Sequence, residues 1–453
     1  LNDAILLAMR ENPNVQRQQL SHVSEKYALE LAEWKFKPHY FLDATKTTSQ
    51  QYSTTASGLV TQNTTAINPK VTLKTVYGTD ITLNATNNIG NNYNPTVGIT
   101  VIQPLLKGFG RPIVEAELLN AMDSEKISRL NLEDRLRSTV TNVINAYLDV
   151  ISAEKTLEID KNALKRAEKS VEQTKLFIKA GHKAGVELVT VQASVAESDS
   201  KIEADKNNLA QARMRLLQEI GLDPDTNIVF SDIDIPTLIK KYSIPVLADA
   251  KKLVVEHDVS YQAAQMTYEG ATKRSLVIAE DNTRWKLDVT ANAATGSSGG
   301  GGPNAGINSL VNGMNRTDNV RLDLSIPIDD QAAKIGLANA KIALRQAAIG
   351  LKEQKWEEET KAINAWNAIF SAERSLKLSE QAEVLQQKMY NIYEQKYNYG
   401  LIDSLELQST RQQYMTSQQQ FVAQQINYLK ALVSLDQLIG RTLETWHIQV
   451  NYD

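Results

Sequence analysis

The chain repeats itself. Sliding the sequence along itself by 219 positions, the distance from Gly181 to Gly400 (400 − 181 = 219), aligns SAEK at 152–155 with SAER at 371–374 and Ile220-Gly221 with Ile439-Gly440. The same offset aligns Glu187-Leu188 with Glu406-Leu407, and no gap is needed from Tyr147/Trp366 to Gly221/Gly440. With small slips the match extends outward: AILLAMRENP near the start resembles LADAKKLVVEHD at 247–258, and Leu42-Asp43 corresponds to Leu287-Asp288. A period this long marks a duplicated chain, not a short solenoid repeat. It divides the sequence into a first repeat over 1–221, a segment at 222–246, a second repeat over 247–440 and a C-terminal segment at 441–453.

Each half reads as helix, strands, long helix, break, helix. After the first break Leu188, Val191, Val195, Ser198, Ile202, Asp205, Leu209, Ala212 and Leu216 step by three and four; the offset carries them to Leu407, Thr410, Tyr414, Ser417, Phe421, Gln424, Tyr428, Ala431 and Leu435. Sustained three-four spacing is coiled-coil geometry. Ser, Thr, Gln and Asp in the seam suit helices with several neighbours better than a dimeric zipper. Before each break the pattern is longer, from about Ile113 to Ala180 and from about Gln331 to Tyr399, which predicts helices roughly 100 Å long. The helices at 186–221 and 404–440, with those near 2–37 and 247–282, are each about half that length, so two short helices stacked end to end match one long one. The breaks are then tight hairpin turns, with Gly181, Gly185 and Gly400 expected to supply the positive φ that ends a helix.

Between these helices the composition shifts to Thr, Asn, Ser and Gly, at 39–104 and 284–327. In WKLDVTANA and NVRLDLSIPI, apolar residues at alternate positions (Trp285, Leu287, Val289; Val320, Leu322, Leu324) give strands with one apolar and one polar face. A glycine-rich loop, ATGSSGGGGPNAGINSLVNGMN, joins them. The first half has HYFLDATKTTSQQ, a loop around 53–66 and PTVGITVIQP, with an additional candidate hairpin, VTLKTVY at 71–77 and TDITLNA at 79–85, turning at Gly78. An ordinary half-buried antiparallel sheet accounts for such alternation. Isolated hairpins interrupting very long helices do not make a stable soluble sheet, however, and closing them with copies from neighbouring subunits into a membrane barrel removes their free edges.

No run of about 18 apolar residues is present, which excludes a transmembrane helix and leaves membrane strands open. The formal net charge of −4 comes from interspersed charges of both signs, with no basic stripe for nucleic acid. Without cysteine there is neither disulfide nor thiolate chemistry. His22, His39, His182, His257 and His447 lack metal-ligand spacing, and GSSGGGGPNAG lacks the Lys-Ser/Thr and following helix of a phosphate loop. No nucleophile constellation and no cofactor site is readable, so an enzyme is not expected. The chain begins at Leu1 instead of Met, as expected of a processed or trimmed chain.

In this order, AMRENPNVQ at the start, QPLLKGFGRP at 103–112 and YNYGLIDSLELQ at 397–408, duplicated and set between coiled-coil segments, the chain resembles the TolC family of outer-membrane efflux and secretion ducts. The resemblance implies a mainly α fold with β: long antiparallel coiled-coil helices forming a trimeric α-barrel across the periplasm, and β-hairpins contributing to a shared transmembrane β-barrel. It implies four strands per chain and a twelve-stranded barrel, with 222–246 and 441–453 as an equatorial belt; the candidate hairpin at 71–85 is additional to that pattern. Implied partners are two further copies of the chain, a periplasmic adaptor protein, an inner-membrane transporter reached indirectly, and the lipid of a Gram-negative outer membrane. The implied role is passive exit of substrates in multidrug efflux or type I secretion.

The same resemblance places Gly181, Val186, Leu188, Gly400, Leu401, Ser404, Leu405 and Leu407 at the periplasmic tips and the adaptor, and Glu187, Tyr397 and Glu406 at the entrance constriction. A threefold axis turns each glutamate into a carboxylate ring that attracts cations; an acid in the solvated first turn of a helix, favoured by the dipole, is the plainer alternative. The residue where the family carries an arginine after the tip glycine is Ile402 here. Two readings from other classes compete: a soluble coiled-coil scaffold, against which the amphipathic strands argue, and a stand-alone diffusion porin, which has no need of such long helices.

Overall fold

The computed structural model describes residues 1–53, 58–89, 95–226, 235–296, 307–308, 310–312 and 315–448. Residues 54–57 of the expected loop around 53–66, most of the glycine-rich loop and parts of the two belt segments (227–234 and 449–453) lie outside the described residues. The chain forms two compact units, one of residues 1–21, 129–262 and 353–453, the other of 22–128 and 263–352.

The first unit is helical. Helix α1 (Asn2–Glu11) is followed without a loop by α2 (Pro13–Trp34). Asn12 makes the joint, its Oδ1 accepting from the backbone N–H groups of Asn14 (2.8 Å) and Val15 (3.4 Å), with Pro13 at the first helical position where its missing N–H costs nothing. Asp258 does the same between α7 (Leu247–His257) and α8 (Val259–Thr267), accepting from Tyr261 N at 2.6 Å. The segments expected as single helices near 2–37 and 247–282 are therefore each divided by a capping residue. The second is interrupted again, within the second unit, by a π turn at Tyr268–Thr272 before α9 (Lys273–Asn282).

The two longest helices are α4 (Ala116–Lys179), which follows the single turn α3 (Arg111–Val114), and α10 (Gln331–Asn398). Their hairpin partners are α5 (Val186–Ile220) and α11 (Ser404–Leu438); the short α6 (Ile235–Ile239) and α12 (Thr442–Thr445) follow each of these. Every seam position expected from the three-four spacing is buried or half-buried, from Leu188 to Leu216 and from Leu407 to Leu435. The main core gathers Ile5, Val15, Leu136, Val140, Ile144, Leu148, Leu216, Ile220 and Leu429; a second cluster forms around Val254, Ala362, Ile369 and Leu435. Gly221 (φ 89°) and Gly440 (φ 77°) end α5 and α11 where a side chain has no room: a Cβ on Gly221 would meet Glu11 O, and one on Gly440 would meet the His257 ring.

The second unit holds one antiparallel sheet. Its strands β1 (His39–Ser53), β2 (Gly58–Lys74), β3 (Asp80–Thr86), β5 (Thr96–Pro104), β6 (Lys286–Gly296) and β7 (Asn315–Ser325) lie side by side in chain order, and the two-residue β4 (Asn88–Ile89) pairs with β2. β4 continues β3 in register. The β2–β3 ladder runs to Lys70↔Asn84 and resumes at Ala66↔Asn88; Pro69, with no N–H to give, sits in the gap.

Four expectations are corrected. Residues 58–66, expected as loop, and Val71–Lys74, expected to open a separate strand, both belong to the 17-residue β2 paired with β1, and the turn to β3 spans Thr75–Thr79 with Gly78 at φ 90°. Among the described residues the sheet accordingly runs through six strands plus a short extension, not the four implied by the resemblance, because the additional hairpin joins the same sheet between β1 and β5. Gly185 has φ −59° and is not one of the left-handed residues.

Candidate functional site

The two helix turns of the first unit share one backbone solution. Gly181 (φ 70°) and Gly400 (φ 71°) each close a Schellman motif, with His182 N donating to Phe177 O and Leu401 N to Lys396 O, both at 2.9 Å. Nothing lies within 4 Å of a Cβ added at either glycine, so glycine is required there by backbone conformation alone. The helices that follow start differently. Asp403 caps α11 by accepting from Glu406 N at 2.8 Å, whereas Gly185 offers no side chain to α5.

Tyr397 is fully buried, its hydroxyl 2.6 Å from Thr174 Oγ1 and its ring edge-on to Phe177 (centroids 5.9 Å apart). Lys183 Nζ sits 3.9 Å from the centre of the same ring, a cation–π contact. That ammonium also pairs with Glu187 Oε2 at 2.8 Å and donates to Ile402 O at 3.1 Å, while Glu187 Oε2 accepts from Ser404 N at 3.3 Å. The structure thus joins Glu187, Tyr397 and Ser404 into one cluster binding the two turns. Leu407 is buried with Tyr390, Tyr397 and Tyr414, and Leu188 is half-buried. Glu406 stands apart and exposed, and Val186 (70 %), Leu401 (72 %) and Leu405 (64 %) present bare apolar surface.

Sequence reasoning missed Lys183 and Thr174. Lys183 had a signal: the 219 offset sets it level with Ile402, so the cation absent from one turn is supplied by the other. Thr174 had none, being 223 residues from its partner.

One helix-seam step further along, Arg411 is buried with Nη2 2.5 Å from Ser170 Oγ, and burial lowers its pKa from the ordinary guanidinium value. Beyond it, Asp160 accepts from Gln419 Nε2 at 2.8 Å and lies 3.4 Å from Lys201 Nζ. Asp205, beside Asp160, is pushed up to about 7, by burial first and the neighbouring carboxyl second. Of these, Asp160, Lys201 and Arg411 line a groove of about 450 Å³ together with Ser194, Glu197 and Leu405.

The sheet of the second unit is inside out by the standards of a soluble protein. Paired residues form rows of one character, such as Val320–Ala291–Val101–Ile81–Leu73 on one face and Asn319–Asn292–Thr100–Thr82–Thr72 on the other. Apolar-face side chains are exposed at the edge strand (Val320 78 %, Leu322 64 %) and partly exposed further in (Leu83 45 %, Ile99 41 %), while Asp288 and Thr290 on the polar face of β6 are 9 % and 7 % exposed. Apolar surface of this extent facing outward, over a sheltered polar face, is the pattern of a strand set bordered by lipid. Among the described residues no helix is long and apolar enough to cross a membrane.

Known structures share this architecture. The chain superposes on CusC, described in terms of transmembrane channel formation, with a TM-score of 0.74 at 13 % identity, covering 96 % of this chain and 91 % of that one. The Campylobacter jejuni CmeC outer membrane channel gives 0.70 at 13 % identity (97 % and 85 % covered), and the open state of the Neisseria gonorrhoeae MtrE outer membrane channel 0.71 at 14 % (97 % and 88 %). No curated protein matches the sequence. The family model described as outer membrane efflux protein matches twice, over residues 48–222 and 262–441, once in each half of the duplication. By fold, by the inverted sheet and by that double match, the chain belongs to the outer membrane efflux protein family.

Proposed function

We propose that the chain is one protomer of a trimeric exit duct in the outer membrane of a Gram-negative bacterium. It passively conducts substrates delivered by an inner-membrane pump through a periplasmic adaptor, in multidrug efflux or type I secretion. The observation that carries this is the sheet whose bare face is apolar and whose sheltered face is polar: it fits a water-filled barrel wall and has no use in a soluble scaffold. No enzymatic step belongs to the duct; the driving energy is the pump's.

In this reading the two turns form the periplasmic entrance. The bare side chains of Val186, Leu401 and Leu405 suit an apolar contact with the adaptor, with Gly181, Leu188, Gly400, Ser404 and Leu407 shaping the turns that present them. Glu406, exposed, is the better candidate for a carboxylate ring at the constriction; Glu187 is already paired to Lys183, and Tyr397 locks the turn from within.

Single-channel conductance of the detergent-purified protein in a planar bilayer tests the duct. Small cation-selective conductance that loses selectivity on Glu187→Gln/Glu406→Gln supports it. A large permanent conductance indifferent to both substitutions favours a diffusion porin, and a soluble monomer with no channel favours the scaffold.

A further inference from the structure

The sheet has two free edges. β1 is 15 residues long and β7 is 11; neither carries proline, and among the described residues neither has a bulge that would blunt it. Six strands are fewer than the eight of the smallest membrane barrels, so the chain cannot close the sheet alone. Resting on the trimeric reading above, we infer that β7 of each copy pairs with β1 of the next at a stagger of six residues, giving an eighteen-stranded barrel.

The stagger follows from the register. Across the sheet Arg321 opposes Thr290, Thr290 opposes Ile102, Ile102 opposes Asp80 and Asp80 opposes Lys74. Extending the β1–β2 register sets Lys74 level with Lys37, two residues before β1 begins, and the same steps bring Asn315 level with Asp43. β7 thus lies low against β1. Raising it by six, from level 37 to level 43 for Arg321, is the smallest shift that sets all 11 of its residues opposite β1, from Ser325 against His39 to Asn315 against Ser49.

At that stagger the side chains agree. On the apolar face Leu324 meets Tyr40, Leu322 meets Leu42 and Val320 meets Ala44, with Asp318 meeting Lys46 further along the same face; Arg321 meets Asp43 on the polar face. Cross-strand apolar and opposite-charge pairs are the favourable kind. In the free edge Arg321 and Asp318 pair along their own strand, Arg321 Nε to Asp323 Oδ2 at 2.8 Å and Arg316 Nε to Asp318 Oδ2 at 2.6 Å. A stagger of eight sets Asp323 against Asp43, ten sets Leu322 against Lys46, and any odd value exchanges the two faces.

Closure is consistent as well. Six residues per copy over six strands is one residue of shear per strand, the ratio that gives a tilt of about 36° in an eight-stranded barrel of shear eight. Such a barrel is about 1.5 times as wide as one of twelve strands, in the range that leaves an aqueous channel.

The cysteine-free sequence permits a direct test on the full chain in the outer membrane. Asn319→Cys with Thr45→Cys, and Val320→Cys with Ala44→Cys, place thiols opposite one another across the seam; Asn319→Cys with Ser49→Cys is four residues out. The in-register pairs are expected to yield covalent dimers and trimers about tenfold in excess of the displaced pair, since thiols with Cα atoms beyond 7 Å do not bridge. Electron cryomicroscopy of the unsubstituted trimer is expected to count eighteen strands. A trimer with twelve strands, or with no preference for the in-register pairs, overturns the inference and leaves the duct intact; absence of any trimer overturns the duct reading on which it rests.

Discussion

The Tyr397 hydroxyl lies 2.6 Å from Thr174 Oγ1, tying α10 to α4 inside a single chain beside the two turns. Thr174 also donates to Ser170 O at 2.7 Å, so the tyrosine supplies the hydrogen in the pair and Thr174 passes its own down the helix. Tyr397→Phe leaves one buried acceptor lone pair unused but no donor stranded, and is expected to cost about 1 kcal/mol. Thermal melting of the purified protein checks this, with Thr174→Val as the matching variant. A double variant no worse than either single one identifies the loss as that of the shared bond.

Lys183 neutralises Glu187 within the chain. Lys183→Met is expected to raise cation selectivity in bilayers by freeing that carboxylate, and adding Glu187→Gln should cancel the gain. Glu406→Gln, at an exposed position, is expected to lower selectivity while changing stability by no more than about 0.5 kcal/mol.

The Asp205 carboxyl, pushed up to about 7, sets a pH dependence of stability. Its ordinary value is near 4, so the folded chain binds this proton more tightly than the unfolded chain. Stability from this group is therefore fullest below about pH 4 and falls as pH rises through about 7. Denaturation midpoints measured from pH 5 to 8 are expected to decline, and Asp205→Asn to flatten the decline by an amount of the order of 1–3 kcal/mol across that range.

Neighbouring positions of β5 report the two faces of the sheet. Ile99 opposes Leu83 and Ala293 in an apolar row, and Thr100 opposes Thr82 and Asn292 in a polar one. Ile99→Lys is expected to destabilise the membrane-inserted form by about 2–4 kcal/mol if it sits near the bilayer midplane. Thr100→Lys should be tolerated and change conductance instead. Urea unfolding from lipid vesicles, run beside conductance, separates the pair.

Much of this architecture was legible because it is written in local periodicity. The seam from Leu188 to Leu216 and its copy from Leu407 to Leu435 needed only spacing, and Gly181 and Gly400 announced their turns because few other residues accept φ near 70°. Gly185 misled for the same reason: glycine permits a left-handed conformation without requiring it, and here it precedes α5 at φ −59°. The hairpin turning at Gly78 was visible, but membership of the sheet depends on pairing between distant segments, such as Val101 with both Ile81 and Ala291, which no local pattern encodes. The site divided likewise. Tip positions followed from the repeat, while the burial of Tyr397 and the reach of Lys183 into the opposite turn depend on how helices pack.

The hairpin formed by β2 and β3 has an evolutionary meaning. It enters between β1 and β5 and leaves the chain running in the direction it would have taken without it, so the helices on either side meet the same endpoints. In the barrel inferred above, circumference is a heritable quantity that changes in increments of two strands per chain, by insertion or loss of one hairpin. On the duct reading proposed above, the width of the opening can therefore drift under selection for cargo while the two helix turns stay as they were.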